Sequence, residues 1–136
     1  MRVCHEINIR VRFSEVGQMG IVHHSVYEEW FDMVELDFMR ANGFDYKSLE
    51  ESGYFFPQIE MHVYYKGVAF MDQELKISMG LKSAGTLKYT FEFEITDMNN
   101  NVITKGETSH ILVDKNMHPL NVSKELPRLH KLLKSI

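Results

Sequence analysis

The segment Ser25 to Ala41 has helical spacing and is apolar around most of its girth. Val26, Tyr27, Trp30, Phe31, Met33, Val34, Leu36, Phe38 and Met39 leave only a narrow polar edge of Glu28, Glu29, Asp32 and Glu35. A surface helix shows one apolar stripe, whereas a helix apolar over several stripes is buried on several sides. The rest of the chain must therefore be built around this helix. Its ends are marked. The Ser25 hydroxyl is placed to accept a bond from an unpaired first-turn N–H, Glu28 and Glu29 suit the positive end of the dipole, and Asn42-Gly43 supplies the stop.

Strands supply the wrapping. Ile7, Ile9, Val11 and Phe13 alternate with Asn8, Arg10 and Arg12, a period of two that marks a strand with one buried face. Asp45 to Ser52 reads as a short second helix. Four strands follow. Tyr54 to Lys66 carries Ile59, Met61, Val63 and Tyr65 on one face, and Gln73 to Lys82 carries Leu75, Ile77, Met79 and Leu81. Thr86 to Asp97 carries Leu87, Tyr89, Phe91, Phe93 and Ile95, and the last strand runs from Val102 to about Asp114. Ser83-Ala84-Gly85 and Met98-Asn99-Asn100-Asn101 are turn sequences, and short turns imply antiparallel neighbours. Ser123 to Ile136 reads as an amphipathic helix with Leu126, Leu129, Leu132 and Leu133 inward and Pro127 in its first turn. The expected class is α+β: a five-stranded antiparallel sheet wrapped around a long central helix. One layer of helix leaves sheet edges open, so self-association is expected.

At 136 residues, without repeats or a linker rich in Pro, Gly or Ser, a single domain over 1–136 is expected. A net charge of −4 argues against a nucleic-acid partner, because phosphate binding needs clustered Lys and Arg. No apolar stretch approaches the ~20 residues of a membrane span, and Met1 to Phe13 lacks the continuous apolar core of a signal peptide. The lone Cys4 cannot form an internal disulfide and reads as a packing residue. A cytoplasmic location is the expectation. The histidines show no zinc-type ligand spacing, and neither a Ser-His-Asp motif nor a dinucleotide fingerprint is present, so no metal and no cofactor are expected.

The stretch Phe13-Ser14-Glu15-Val16-Gly17-Gln18-Met19-Gly20-Ile21-Val22-His23-His24-Ser25-Val26-Tyr27 carries the candidate chemistry. It sets a carboxylate, two histidines and a glycine-bearing loop just before the buried helix. A helix amino end offers free N–H groups and positive potential, which stabilise an oxyanion formed when a carbonyl is attacked. A nearby carboxylate or imidazole can activate water or attack directly.

The same stretch resembles the signature of the 4-hydroxybenzoyl-CoA thioesterase and YbgC-like family of hotdog-fold proteins. Phe13, Glu15, Gly20, Ile21, Val22, His24 and Tyr27 carry the match. Gly53-Tyr54-Phe55-Phe56-Pro57, Tyr65-Lys66 through Leu75, and Lys105 to His110 extend it over residues 3 to 135. The resemblance implies a hotdog fold, hydrolysis of an acyl- or aroyl-CoA thioester, and a homodimer or homotetramer with its sites at the dimer interface. It places the family's histidine on His24 and its carbonyl-polarising N–H groups at the helix start. It places the family's essential aspartate on Gly17.

Glycine can be neither nucleophile nor base. Four readings stay open at this point: Glu15 substitutes; His24 activates water alone; the protein binds acyl-CoA without turnover; or Gly17 is an altered residue of this chain. Glu15 stands about 6–7 Å along an extended chain from position 17. His24 carries an imidazole, a side chain suited to act as a base near neutral pH. Substrate contacts are expected from Gln18 and Tyr27, from Gln58 of a partner subunit, and from Lys66 and Lys82 toward the CoA phosphates. A dehydratase or isomerase using Glu28 or Asp32 ranks last, since both fall on the helix's polar edge.

Overall fold

The structure, a computed structural model, describes residues 1–136. In chain order its elements are β1 (Val3–Arg10), α1 (Val26–Ala41), α2 (Tyr46–Glu51), β2 (Gln58–Tyr65), β3 (Glu74–Ala84), β4 (Lys88–Asp97), β5 (Val102–Ile111), α3 (Val122–Glu125) and α4 (Pro127–Ser135). Two short 3-10 turns, Phe13–Glu15 and Gln18–Gly20, link β1 to α1. The strands form one antiparallel sheet in the order β1-β3-β4-β5-β2, so β1 and β2 are its edges.

Alternation decides which face is buried. Leu75, Ile77 and Met79 of β3, and Tyr89, Phe91, Phe93 and Ile95 of β4, are all buried on the face that receives α1. Fully burying such side chains contributes about 1.5–3 kcal/mol each. From α1 come Val26, Tyr27, Trp30, Phe31, Val34, Phe38 and Met39. Phe31 stacks on Phe93 with ring centroids 4.6 Å apart, and Phe38 meets Phe91 edge-on at 6.2 Å. Gly106 of β5 lies against the Phe31 ring, and a Cβ there would collide with it. The helix seats this deeply because β5 has no side chain at that point.

The outer face of the sheet is polar. Lys82 pairs with Glu107 at 2.6 Å, Lys88 with Glu60 at 3.1 Å and Lys105 with Glu94 at 3.6 Å. These exposed pairs set surface character more than stability.

Several elements differ from the sequence reading. The first strand ends at Arg10, and Phe13 is 82% exposed in a 3-10 turn, because the chain leaves the sheet once Val11 has paired with Gln73. Leu87 is 53% exposed in the turn before β4. The strand expected from Tyr54 starts at Gln58, and that expected to reach Asp114 ends at Ile111. The C-terminal helix is two helices broken at Leu126, which precedes Pro127 and takes a non-helical φ of −131°. Ser25 does not cap α1 with its side chain; its Oγ lies 2.8 Å from His23 Nδ1 instead. The apolar girth of α1 is not fully covered, since Met33 is 44% exposed. Glu35, read as part of the polar edge, is buried.

Candidate active site

The segment between β1 and α1 is a small ladder. Gly17 N–H donates to Ile21 O at 2.9 Å and His23 N–H to Glu15 O at 3.0 Å. At its tip Met19 and Gly20 have φ of +62° and +69°; the left-handed region suits glycine but costs a methionine some strain. The crossover from β2 to β3 flanks the ladder, with Val22 N–H donating to Ala69 O at 2.9 Å and Met71 N–H to Gly20 O at 3.3 Å. The segment is thus held on two sides, and it delivers His24 to the amino end of α1.

His24 is exposed there, its ring 4.4 Å from the His23 ring. The Tyr65 hydroxyl, from the end of β2, donates to His24 O at 3.4 Å, while the His24 N–H has no partner inside the chain. Gly17 is exposed with φ −114°, and a Cβ placed on it meets nothing within 4 Å. Position 17 therefore has room for a side chain. Gln18 is exposed beside it, and Lys66 follows Tyr65 with its Nζ 6.0 Å from the Tyr64 ring. Tyr27 is buried beneath, edge-on to Trp30 at 5.3 Å and to Tyr65 at 5.7 Å. Burial raises the pKa of its phenol.

Glu15 lies in the loop but is shielded from solvent. It is 5% exposed. Its Oε1 accepts from Arg12 N–H at 2.8 Å, and its Oε2 accepts from Trp30 Nε1–H at 2.9 Å and from the Arg12 guanidinium at 3.2 Å. Burial works to raise its pKa, but these donors outweigh it and hold the carboxyl below the ordinary carboxylate range.

Two expected contacts lie elsewhere in the subunit. Gln58 is at the opposite end of β2 from Tyr65, about 23 Å away at ~3.3 Å per residue, paired across the ladder with His110. Lys82 is on the outer face of the sheet, committed to Glu107. A recess of about 370 Å³ between α2 and α4, lined by Phe44, Ser48, Leu49 and Arg128 among others, lies past the carboxyl end of α1 and shares no residue with this site. No three His, Cys, Asp or Glu side chains converge closely enough to hold a metal ion.

Sequence reasoning missed two features. One is Tyr65, read only as a strand residue, whose hydroxyl reaches the His24 carbonyl. The other is a buried ion pair. Glu35 Oε1 of α1 lies 3.0 Å from His110 Nε2 of β5, each side chain under one-tenth exposed. The contact lacks hydrogen-bond alignment, and Nε2 also meets Thr108 Oγ1 at 3.1 Å. The His110 ring stacks on Tyr89 at 5.4 Å. Tyr46 and Tyr89 are pushed well above the ordinary phenol pKa by burial, and neither hydroxyl has an aligned partner. Asp32, one turn before Glu35, has a raised pKa from burial and then from Glu35 itself. The signal was present in sequence: Glu35 lies four residues after Phe31 and four before Met39, on the buried stripe.

The fold agrees with relationship. The chain belongs to the thioesterase-like superfamily, whose sequence profile matches residues 11–128, and it is by that membership a thioesterase-type hydrolase. Among curated relatives it is 27% identical over 123 residues to a Bacillus subtilis (strain 168) protein under the provisional name acyl-CoA thioesterase YneP, covering 90% of this chain and 89% of that one. Among solved structures it superimposes on a DHNA-CoA thioesterase from Staphylococcus aureus with a TM-score of 0.90 at 24% identity, covering 96% of this chain and 88% of that one. The 1,4-dihydroxy-2-naphthoyl-CoA thioesterase Slr0204 from Synechocystis gives 0.89 at 8% identity, covering 97% and 96%. Both likenesses are of fold.

Proposed function

We propose that this protein hydrolyses an acyl- or aroyl-CoA thioester, with His24 activating water at the amino end of α1. The observation that carries the reading is the presentation of His24: an exposed imidazole and an unpaired backbone N–H at one helix terminus, beside open space at Gly17. The thioester oxygen accepts a bond from the His24 N–H, and the helix dipole stabilises the negative charge that develops there. The imidazole takes a proton from water as its oxygen bonds to the carbonyl carbon. When the C–S bond breaks, that proton goes to the leaving sulfur, giving a carboxylic acid and the CoA thiol. Glu15 is a poor base here, because both its oxygens are already engaged and its charge is stabilised.

The working unit in this reading is a homodimer joined along the β2 edges. The edge strand exposes Ile59, Tyr64 and Tyr65, at 45%, 53% and 50%. Antiparallel pairing about a two-fold axis brings Gln58 of one subunit toward the Tyr65 and His24 end of the other. Lys66, unpaired and adjacent to Tyr65, is the CoA phosphate contact we favour; Lys82 would first have to leave Glu107.

A second reading, an acyl-CoA binder without turnover, is favoured by the missing side chain at 17 together with the engagement of Glu15. His24→Ala decides between them. Because His24 is exposed, the variant should keep the wild-type Tm and lose at least about a hundredfold in kcat. Wild-type turnover in that variant would remove His24 from the mechanism.

A further inference from the structure

We infer that Glu15 is a positioning residue: its side chain fastens the His24 segment to α1 through the Trp30 indole, and so fixes where His24 stands. This inference rests on the hydrolase reading above. Six residues close a ring of contacts. The Glu15 carboxylate accepts from Trp30 Nε1–H at 2.9 Å. The Trp30 ring meets Tyr27 at 5.3 Å, and Tyr27 meets Tyr65 at 5.7 Å. The Tyr65 hydroxyl donates to His24 O at 3.4 Å. His24 follows His23, whose N–H returns to Glu15 O at 3.0 Å. One residue thus grips the helix with its side chain and the histidine-bearing strand with its backbone.

The charge has a reason in this arrangement. A carboxylate offers two oxygens and several lone pairs, enough for the Arg12 N–H, the Arg12 guanidinium and the indole together. The Trp30 N–H is buried and costly to leave unpaired, so loss of the acceptor loosens this contact above all. The segment it secures presents Phe13 and Met19 to solvent at 82% and 85% exposure, so the anchor adds a side-chain hold to the backbone bonds that fasten it. A displacement of about 1 Å in a catalytic group can cost as much as a hundredfold in rate.

Trp30 is the chain's only tryptophan, so its emission reports on this contact without interference. The experiment reads Trp30 emission and acrylamide quenching in wild type and Glu15→Gln, and steady-state kinetics on an acyl-CoA in wild type, Glu15→Gln, Trp30→Phe and the double variant. Glu15→Gln should shift the emission and raise quenching. Each single variant should lower kcat between about tenfold and a hundredfold with KM little changed, and the double variant should lose no more than the worse single one. Trp30→Phe removes the N–H while keeping an aromatic ring, which guards against a Glu15 variant that fails to fold. Wild-type kcat in folded Trp30→Phe, or losses that multiply in the double variant, would overturn the inference. A wild type without turnover would instead sink the hydrolase reading. In that case unchanged emission and quenching in Glu15→Gln would still refute the anchor.

Discussion

Removing one member of the Glu35–His110 pair should destabilise the fold far more than removing both. The pair joins α1 to β5 with each side chain under one-tenth exposed. A buried ion left without its partner costs about 3–5 kcal/mol, whereas replacing the whole pair by apolar groups of similar volume is often neutral or stabilising. For a chain of this size 1 kcal/mol moves Tm by roughly 3–5 °C. Glu35→Ala should therefore lower Tm by about 10–20 °C, and Glu35→Leu combined with His110→Phe should recover most of it. The pair also predicts a pH dependence. Burial pulls the His110 pKa down, but the Glu35 carboxylate more than reverses this, so the folded pKa lies above the ordinary 6.5. A raised folded pKa gives stability that is fully present below the unfolded value and lost as pH rises through the folded one. Wild-type Tm should thus fall as pH rises above about 6.5, and His110→Gln should flatten that slope. Thermal melts across this range, read by circular dichroism, test both statements. A Glu35→Ala variant within about 1 kcal/mol of wild type, or a wild-type slope of the opposite sign, would refute the reasoning.

Further outcomes follow from the same structure. Gly106→Ala drives a Cβ into the Phe31 ring and should cost about 1–3 kcal/mol in urea unfolding, with Phe31→Leu restoring part of the loss. Gly17→Ala should be within about 0.5 kcal/mol of wild type, since its Cβ meets nothing and φ is negative. Lys66→Ala should raise KM for acyl-CoA while Lys82→Ala leaves it unchanged, because Lys82 is committed to Glu107; steady-state kinetics separates the two. If the β2 edges join the proposed dimer, light scattering should find Ile59→Lys monomeric where the wild type is dimeric.

The girth of α1 and the alternation of β3 and β4 were legible because burial there follows the intrinsic period of each element. The failures fall where the chain leaves an element. Phe13 continues the alternation of β1 in sequence, but the sheet ends before it. Leu87 does the same at a hairpin, and the break at Leu126 was readable from Pro127 had that proline been weighed as a boundary. Glu35 has the charge of the polar edge but, by its spacing from Phe31 and Met39, the position of a buried residue, and position prevails. Glu15 is a harder case. Its decisive partner, Trp30, is fifteen residues away, and only the folded path of the loop brings the two together. The room at Gly17 is likewise a property of the folded loop, with no trace in its neighbours' identities.

The account stands or falls on turnover without a carboxylate at position 17. Thiol release from a panel of acyl- and aroyl-CoA thioesters, measured for wild type beside Gly17→Asp, tests it most directly. We expect the wild type to hydrolyse at least one thioester, and Gly17→Asp to change that rate little. A silent wild type beside an active Gly17→Asp would contradict the account, and would mark a thioesterase scaffold that retains binding after losing its acid.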